Sequence, residues 1–303
     1  MAQTRRLVTE IEPMSNLARP RRSALYMPAS NPRAVEKART LPCDVVILDL
    51  EDAVLPDAKT AAREAAVAAV GAGGFGAREV VIRVNGLATP WGEADLAAAA
   101  RARPDAVLVP KVRGPDDIAA YDLALADAPT HTRLWAMIKT PQAIFGLDGI
   151  AAAPSRLGAL CMGTNDLAKE MGARQTPGRE PFWAAMTLTV MAARAHGLAV
   201  LDGVHNEIDD LAALEAVCRQ GVDFGFDGKT LIHPSHLAIC NAAFSPTVDE
   251  VAHARAVIAA FAAPENAGKG ALRVEGRLTE LLHLDQAATL VAIADAISAS
   301  AAG

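Results

Sequence analysis

The residues able to do chemistry stand at the ends of apolar runs. Val45-Val46-Ile47-Leu48 ends in Asp49-Leu50-Glu51-Asp52, and Val80-Val81-Ile82 delivers Arg83. Val107-Leu108-Val109 is followed by Pro110-Lys111, and a run ending in Ile138 gives Lys139. Another, ending in Met162, gives Gly163-Thr164-Asn165-Asp166, and Leu201 is followed by Asp202. Isolated charges are costly to bury, so these groups are expected to collect where the strands end. A ring of mixed charge there suits an anionic substrate whose reaction passes through an enolate or oxyanion, with Arg83 steadying the developing negative charge. Asp166, with a further oxygen ligand, suits a hard cation such as Mg²⁺. For any one of these residues the alternative is a structural ion pair at the barrel end. Gly163-Thr164, opening a helix, could also present backbone N–H groups to an anion.

The elements that must position these groups read as strands buried on both faces, because their apolar runs show no polar alternation. Strands are expected at residues 24–27, 45–50, 79–84, 106–109, 134–138, 157–162, 198–201 and 222–226, with helical stretches between them. Asn31 followed by Pro32 starts the first helix. Strand–helix alternation of this kind describes an α/β protein, a (β/α)8 TIM barrel. The other candidate, a doubly wound sheet, is weakened because no Gly-x-Gly-x-x-Gly follows the first strand. Residues 1–20 read as a loose N-terminal arm and residues 21–245 as the barrel. After Ser245-Pro246 the pattern changes to two helices, 248–262 and 280–299, around a Gly-rich turn; residues 246–303 are expected to form a C-terminal helical lid.

A formal charge of −6 argues against nonspecific nucleic-acid binding. No uninterrupted apolar window of about 18 residues occurs, so no membrane span is expected. The N-terminal arginines lack a following apolar stretch, so no secretory signal is expected. Cys43, Cys161, Cys218 and Cys240 have no metal-ligand spacing and are expected as reduced core thiols of a cytoplasmic protein. His233, before Pro234, is expected to make structural hydrogen bonds; Tyr26 and Trp91 are expected in the core.

In order along the chain stand Arg22-Ser23-x-Leu25-Tyr26-x-Pro28, Ile47-Leu48-Asp49-Leu50-Glu51-Asp52-Ala53-Val54 with Lys59 and Arg63, Arg83-Val84-Asn85, Val109-Pro110-Lys111, Gly163-Thr164-Asn165-Asp166-Leu167 and Gly228-Lys229-x-x-Ile232-His233-Pro234. This ordered set, over roughly residues 20–290, resembles the HpcH/HpaI aldolase and citrate lyase superfamily, in its citrate lyase β-subunit-like and malyl-CoA lyase-like branch. The resemblance implies a TIM barrel with a C-terminal lid that cleaves or forms carbon–carbon bonds in 3-hydroxyacyl-CoA substrates such as citryl- or malyl-CoA. It implies Arg83 on the carbonyl or enolate oxygen, Asp166 on Mg²⁺, and Glu51 and Asp52 organising the metal's water and the pocket. Arg22 and other basic residues, Lys111 among them, are implied to hold the CoA ester, with Gly163 and Thr164 lining its site. A homotrimer or hexamer is implied, in which the lid of a neighbouring subunit brings an acid, here Glu280, over the site.

The chain departs from the family pattern at two places. Where the pattern has Ile-Glu-Thr-Pro, this chain has Ile138-Lys139-Thr140-Pro141, so a metal-binding carboxylate is replaced by a cation. The lid's Asp is replaced by Glu280, one methylene longer. Three readings follow. The expected one is a carbon–carbon lyase releasing an acyl-CoA and an oxo acid, with Mg²⁺ bound weakly through Asp166 and water. The second is a metal-independent variant in which Lys139 supplies the positive charge, or forms a Schiff base with a keto acid. The third is a non-catalytic or altered homologue that keeps the pocket, a CoA-ester binder or a thioesterase.

Overall fold

The computed structural model describes residues 19–302 except Pro154; most of the expected N-terminal arm lies outside the described residues. The chain divides into two compact units, Arg21–Phe244 and a smaller one containing the segment from Ser245 onward.

The larger unit is a closed barrel of eight parallel strands in chain order, as the sequence predicts. Its elements run β1 (Ser23–Pro28), α1 (Pro32–Ala38), β2 (Val45–Asp49), α2 (Lys59–Ala72), β3 (Glu79–Arg83), α3 (Gly92–Ala102), β4 (Ala106–Val109) and α4 (Pro115–Ala124). They continue β5 (Arg133–Ile138), α5 (Pro141–Phe145), α6 (Leu147–Ala152), β6 (Leu157–Met162), α7 (Thr164–Met171), α8 (Trp183–Ala195), β7 (Ala199–Asp202), α9 (Leu211–Phe224), β8 (Gly228–Leu231) and α10 (Leu237–Ala243). Pairing of Ser23 with Lys229 closes the barrel. Asn31 caps α1 by accepting from the Ala34 N–H at 3.2 Å, with Pro32 at the first helical position.

The eighth strand lies later than the sequence suggests. Residues 222–224 finish α9, whose buried stripe Leu214, Val217, Cys218, Gly221 carries the helical period past the short apolar run. Gly225, at φ +91°, ends the helix in the left-handed region open to glycine, and β8 begins at Gly228.

Side chains two apart on a strand share a face. Ile47, Val81 and Met137 belong to the cluster that fills the barrel interior with Trp135, Leu108 and Cys161. Two residues further along the same strands come Asp49, Arg83 and Lys139, so the strand period alone aims these three into the interior at its C-terminal end. The intervening residues, Leu48, Ile82 and Ile138, pack in the larger cluster containing buried residues of the surrounding helices.

In the smaller unit, α11 (Val248–Ala262) starts in a capping box formed by Thr247 and Glu250. A hairpin the sequence reading missed follows, β9 (Ala271–Val274) and β10 (Arg277–Glu280), and α12 spans Leu281–Ala302. Glu275 and Gly276 both have positive φ, as a two-residue type I′ hairpin turn requires. Leu272, Val274, Leu284 and Ala287 close over Val257 and Phe261 in a separate small core. By length and composition Leu281–Ser300, of mean hydropathy 1.2, is apolar enough to cross a membrane, although Asp285 and Asp295 interrupt its apolar run.

Candidate active site

At the end of β3 the guanidinium of Arg83 is held on both sides. Its Nε and Nη2 each donate to the Asp49 carboxylate at 2.6 Å, a two-pronged pairing that fixes the plane of the group. The Tyr26 ring lies 4.5 Å from the guanidinium carbon. Nη1 is the remaining edge, 3.0 Å from Glu51 Oε2 and 3.5 Å from Asp52 Oδ2. Asp49 is a partner the sequence reading left out of the site. Its signal was available, since it lies two residues beyond Ile47 and registers opposite Arg83.

From the other side of the barrel, Lys139 leaves β5 and points to the same place. Its side chain is fully buried, and Nζ lies 2.9 Å from Glu51 Oε1, 3.5 Å from Asp166 Oδ2 and 3.7 Å from Asp52 Oδ2. Glu51 is therefore shared between two cations. Among the described residues its Oε2 accepts no hydrogen bond although it is buried, Arg83 lying at ion-pair distance only. Burial pushes the Glu51 carboxyl above the usual range, and Arg83 and Lys139 only partly offset this. Asp166 on α7 and Asp52 after β2 are more open, their side chains 35 % and 63 % exposed.

Beneath this layer a second network fixes the loop that carries the carboxylates. Lys59 donates from Nζ to the carbonyls of Leu50 (2.8 Å) and Glu51 (2.6 Å) and to Asn85 Oδ1 (2.8 Å). Asn85 donates to Asp95, which also takes Nε of Arg63 at 2.6 Å. The absence of a side chain at Gly163 is required here: a Cβ on it would sit 2.5 Å from the Lys139 Cβ. Thr164, buried at the start of α7, is crossed just as closely by Gly203, whose Cβ would meet the Thr164 hydroxyl at 2.8 Å.

The structure thus brings together Glu51, Asp52, Arg83, Lys139 and Asp166, with Gly163 and Thr164 beside them. Lys111, just past β4, is exposed with φ +54°. Glu280 belongs to the smaller unit, where it ends β10 and its N–H donates to His283. Arg22 is a correction. It precedes β1, and its backbone N–H and guanidinium bind Asp44 ahead of β2, each at 2.8 Å. In a parallel barrel this is the end opposite the carboxylate cluster, so Arg22 does not join the site. Asp202 also turns away from it: on β7 it alternates with the interior residue Leu201 and pairs with Lys229 and Arg179. His233 makes the structural bonds expected, to the hydroxyl and N–H of Ser235.

The residues present do not fit Mg²⁺. The point where Glu51, Asp52 and Asp166 converge already holds the Lys139 ammonium. Two unit charges 4 Å apart interact by about 4 kcal/mol at an effective dielectric of 20, and a dication beside the ammonium faces twice that in repulsion. Among the described residues no three His, Cys, Asp or Glu side chains are arranged to hold a metal ion.

Residues 22–234 match the family described as HpcH/HpaI aldolase/citrate lyase. A (3S)-malyl-CoA thioesterase of Cereibacter sphaeroides strain KD131 is 47% identical over 286 residues, covering 94% of this chain and 99% of the relative. An L-malyl-CoA/beta-methylmalyl-CoA lyase of C. sphaeroides strain ATCC 17025 is 34% identical over 309 residues, covering 93% and 97%. Among solved structures, CitE of Mycobacterium tuberculosis in complex with magnesium, acetoacetate and coenzyme A superposes with a TM-score of 0.73 at 29% identity, covering 92% of this chain and 99% of that one. These matches overturn the expected carbon–carbon lyase, because the thioesterase relative shares far more of the sequence than the lyase does.

Proposed function

Because this chain belongs to the HpcH/HpaI aldolase/citrate lyase family, we propose that it is a thioesterase that hydrolyses a short hydroxydicarboxylic acyl-CoA such as (3S)-malyl-CoA. The observation that carries this reading is the 47% identity, over 94% of the chain, to a (3S)-malyl-CoA thioesterase. The site can supply the chemistry because Glu51, shared between Arg83 and Lys139, keeps one buried carboxylate oxygen without a hydrogen-bond donor among the described residues. That oxygen accepts a proton from the attacking water. The water oxygen bonds to the thioester carbon, and the carbonyl electrons pass to oxygen, where Nη1 of Arg83 and Nζ of Lys139 stabilise the oxyanion. Collapse of the tetrahedral intermediate breaks the C–S bond. Coenzyme A leaves as its thiolate and takes up a proton, and malate remains.

Preorganisation supports this assignment. Asp49 and Tyr26 hold the guanidinium before substrate arrives, and Lys59 pins the loop carrying Glu51. The similarity to CitE, solved with coenzyme A, supports a CoA ester over a free acid. Release of free thiol from malyl-CoA, followed with a thiol reagent on native protein and on Glu51→Gln, tests the proposal. Stoichiometric thiol and malate from the native protein support it, and their absence sinks it.

A further inference from the structure

We infer that Lys139 is a resident cation standing where a divalent ion would stand, so that this barrel works without a metal. The inference rests on the thioesterase reading for what the charge acts on, but not for the site itself. Three carboxylates from two elements, Glu51 and Asp52 after β2 and Asp166 on α7, lie 2.9, 3.7 and 3.5 Å from one ammonium. Oxygen donors of this kind suit hard cations, but gathered around the ammonium these three are not arranged to hold a metal ion. The ammonium that occupies their meeting point is built in, because its side chain is wholly buried and its stem lies against Gly163, with no space for even a methyl group between them.

The surroundings are set for a fixed charge. Lys59 anchors the backbone of residues 50 and 51, and Arg83 balances the far oxygen of Glu51 from the opposite wall. Swinging Lys139 out to admit a dication would leave its ammonium buried without a partner, a costly arrangement. A carboxylate in its place removes that repulsion and adds a ligand.

The test titrates Mn²⁺ against native protein, Lys139→Glu and Lys139→Gln, reading free Mn²⁺ by its paramagnetic resonance, and assays native malyl-CoA hydrolysis in excess EDTA and in Mg²⁺. The native protein is expected to leave the Mn²⁺ signal unchanged and to hydrolyse at the same rate in both buffers. Lys139→Glu is expected to bind Mn²⁺ about 10- to 100-fold more tightly than the native chain, with Lys139→Gln between them. Native protein that binds Mn²⁺ as tightly as Lys139→Glu, or that loses hydrolysis in EDTA and regains it with Mg²⁺, overturns the inference. If Lys139→Glu does not fold, the native titration and EDTA assay decide alone. If the native protein hydrolyses nothing in either buffer, the thioesterase reading falls, while the Mn²⁺ titration still decides the question of the cation.

Discussion

Lys139 sets its ammonium 2.9 Å from Oε1 of Glu51, across 88 residues of sequence and from the far side of the barrel. The pair fixes one oxygen of the carboxylate and leaves the other without a hydrogen-bond donor among the described residues. Glu51→Gln keeps the shape and removes the base, so kcat for malyl-CoA hydrolysis is expected to fall about 10²- to 10⁴-fold. Circular dichroism should stay native, since burial already disfavours the ionised carboxylate.

Arg83 is fixed by two parallel hydrogen bonds to Asp49. Arg83→Lys keeps the charge but has no planar fork. It is expected to lower kcat by about 10² to 10³ through a misplaced oxyanion partner, with a smaller change in KM. Equal activity in Arg83→Lys and native protein would remove Arg83 from the mechanism.

Gly163→Ala drives a methyl into the stem of Lys139. Overpacking of this kind costs about 1–3 kcal/mol, readable as a lower midpoint in urea. Because the clash displaces Lys139 itself, kcat should fall as well. Loss of stability with full activity would mean that the position of the ammonium does not matter.

Asp202 tests the sign of a buried pair away from the site. Burial alone would raise its carboxyl, but Lys229 and Arg179, at 2.8 and 2.7 Å, outweigh this and hold it below the usual carboxylate range. Its stabilising contribution is therefore present above the ordinary Asp pKa of about 3.9 and is lost as pH falls through the lower folded value. Asp202→Asn is expected to cost about 3–5 kcal/mol at neutral pH. The penalty should begin to shrink below about pH 4, where the unfolded-state carboxylate takes up its proton, and go on shrinking as pH falls through the lower folded value; urea melts at neutral and acid pH check this.

The barrel was legible because its strands are unbroken apolar runs that end in charge, and period two then places Asp49, Arg83 and Lys139 in one layer. Boundaries failed where a helix stripe outran a short apolar run, as at residues 222–226, and where a hairpin had only four residues per strand, as in β9 and β10. Arg22 was misplaced because the resemblance assigned it by motif, and a motif ahead of the first strand says nothing about which end of the barrel the side chain faces. The identity of the reaction was not legible at all. Lyase and thioesterase both need an oxyanion partner and a base, so Arg83 and Glu51 would serve either, and what favours hydrolysis is the similarity to a thioesterase.

The most direct measurement supplies (3S)-malyl-CoA to the native protein and quantifies every product. The account predicts free coenzyme A and malate in equal amounts, with no other acyl-CoA formed. Acetyl-CoA and glyoxylate in place of malate would show carbon–carbon cleavage and contradict it.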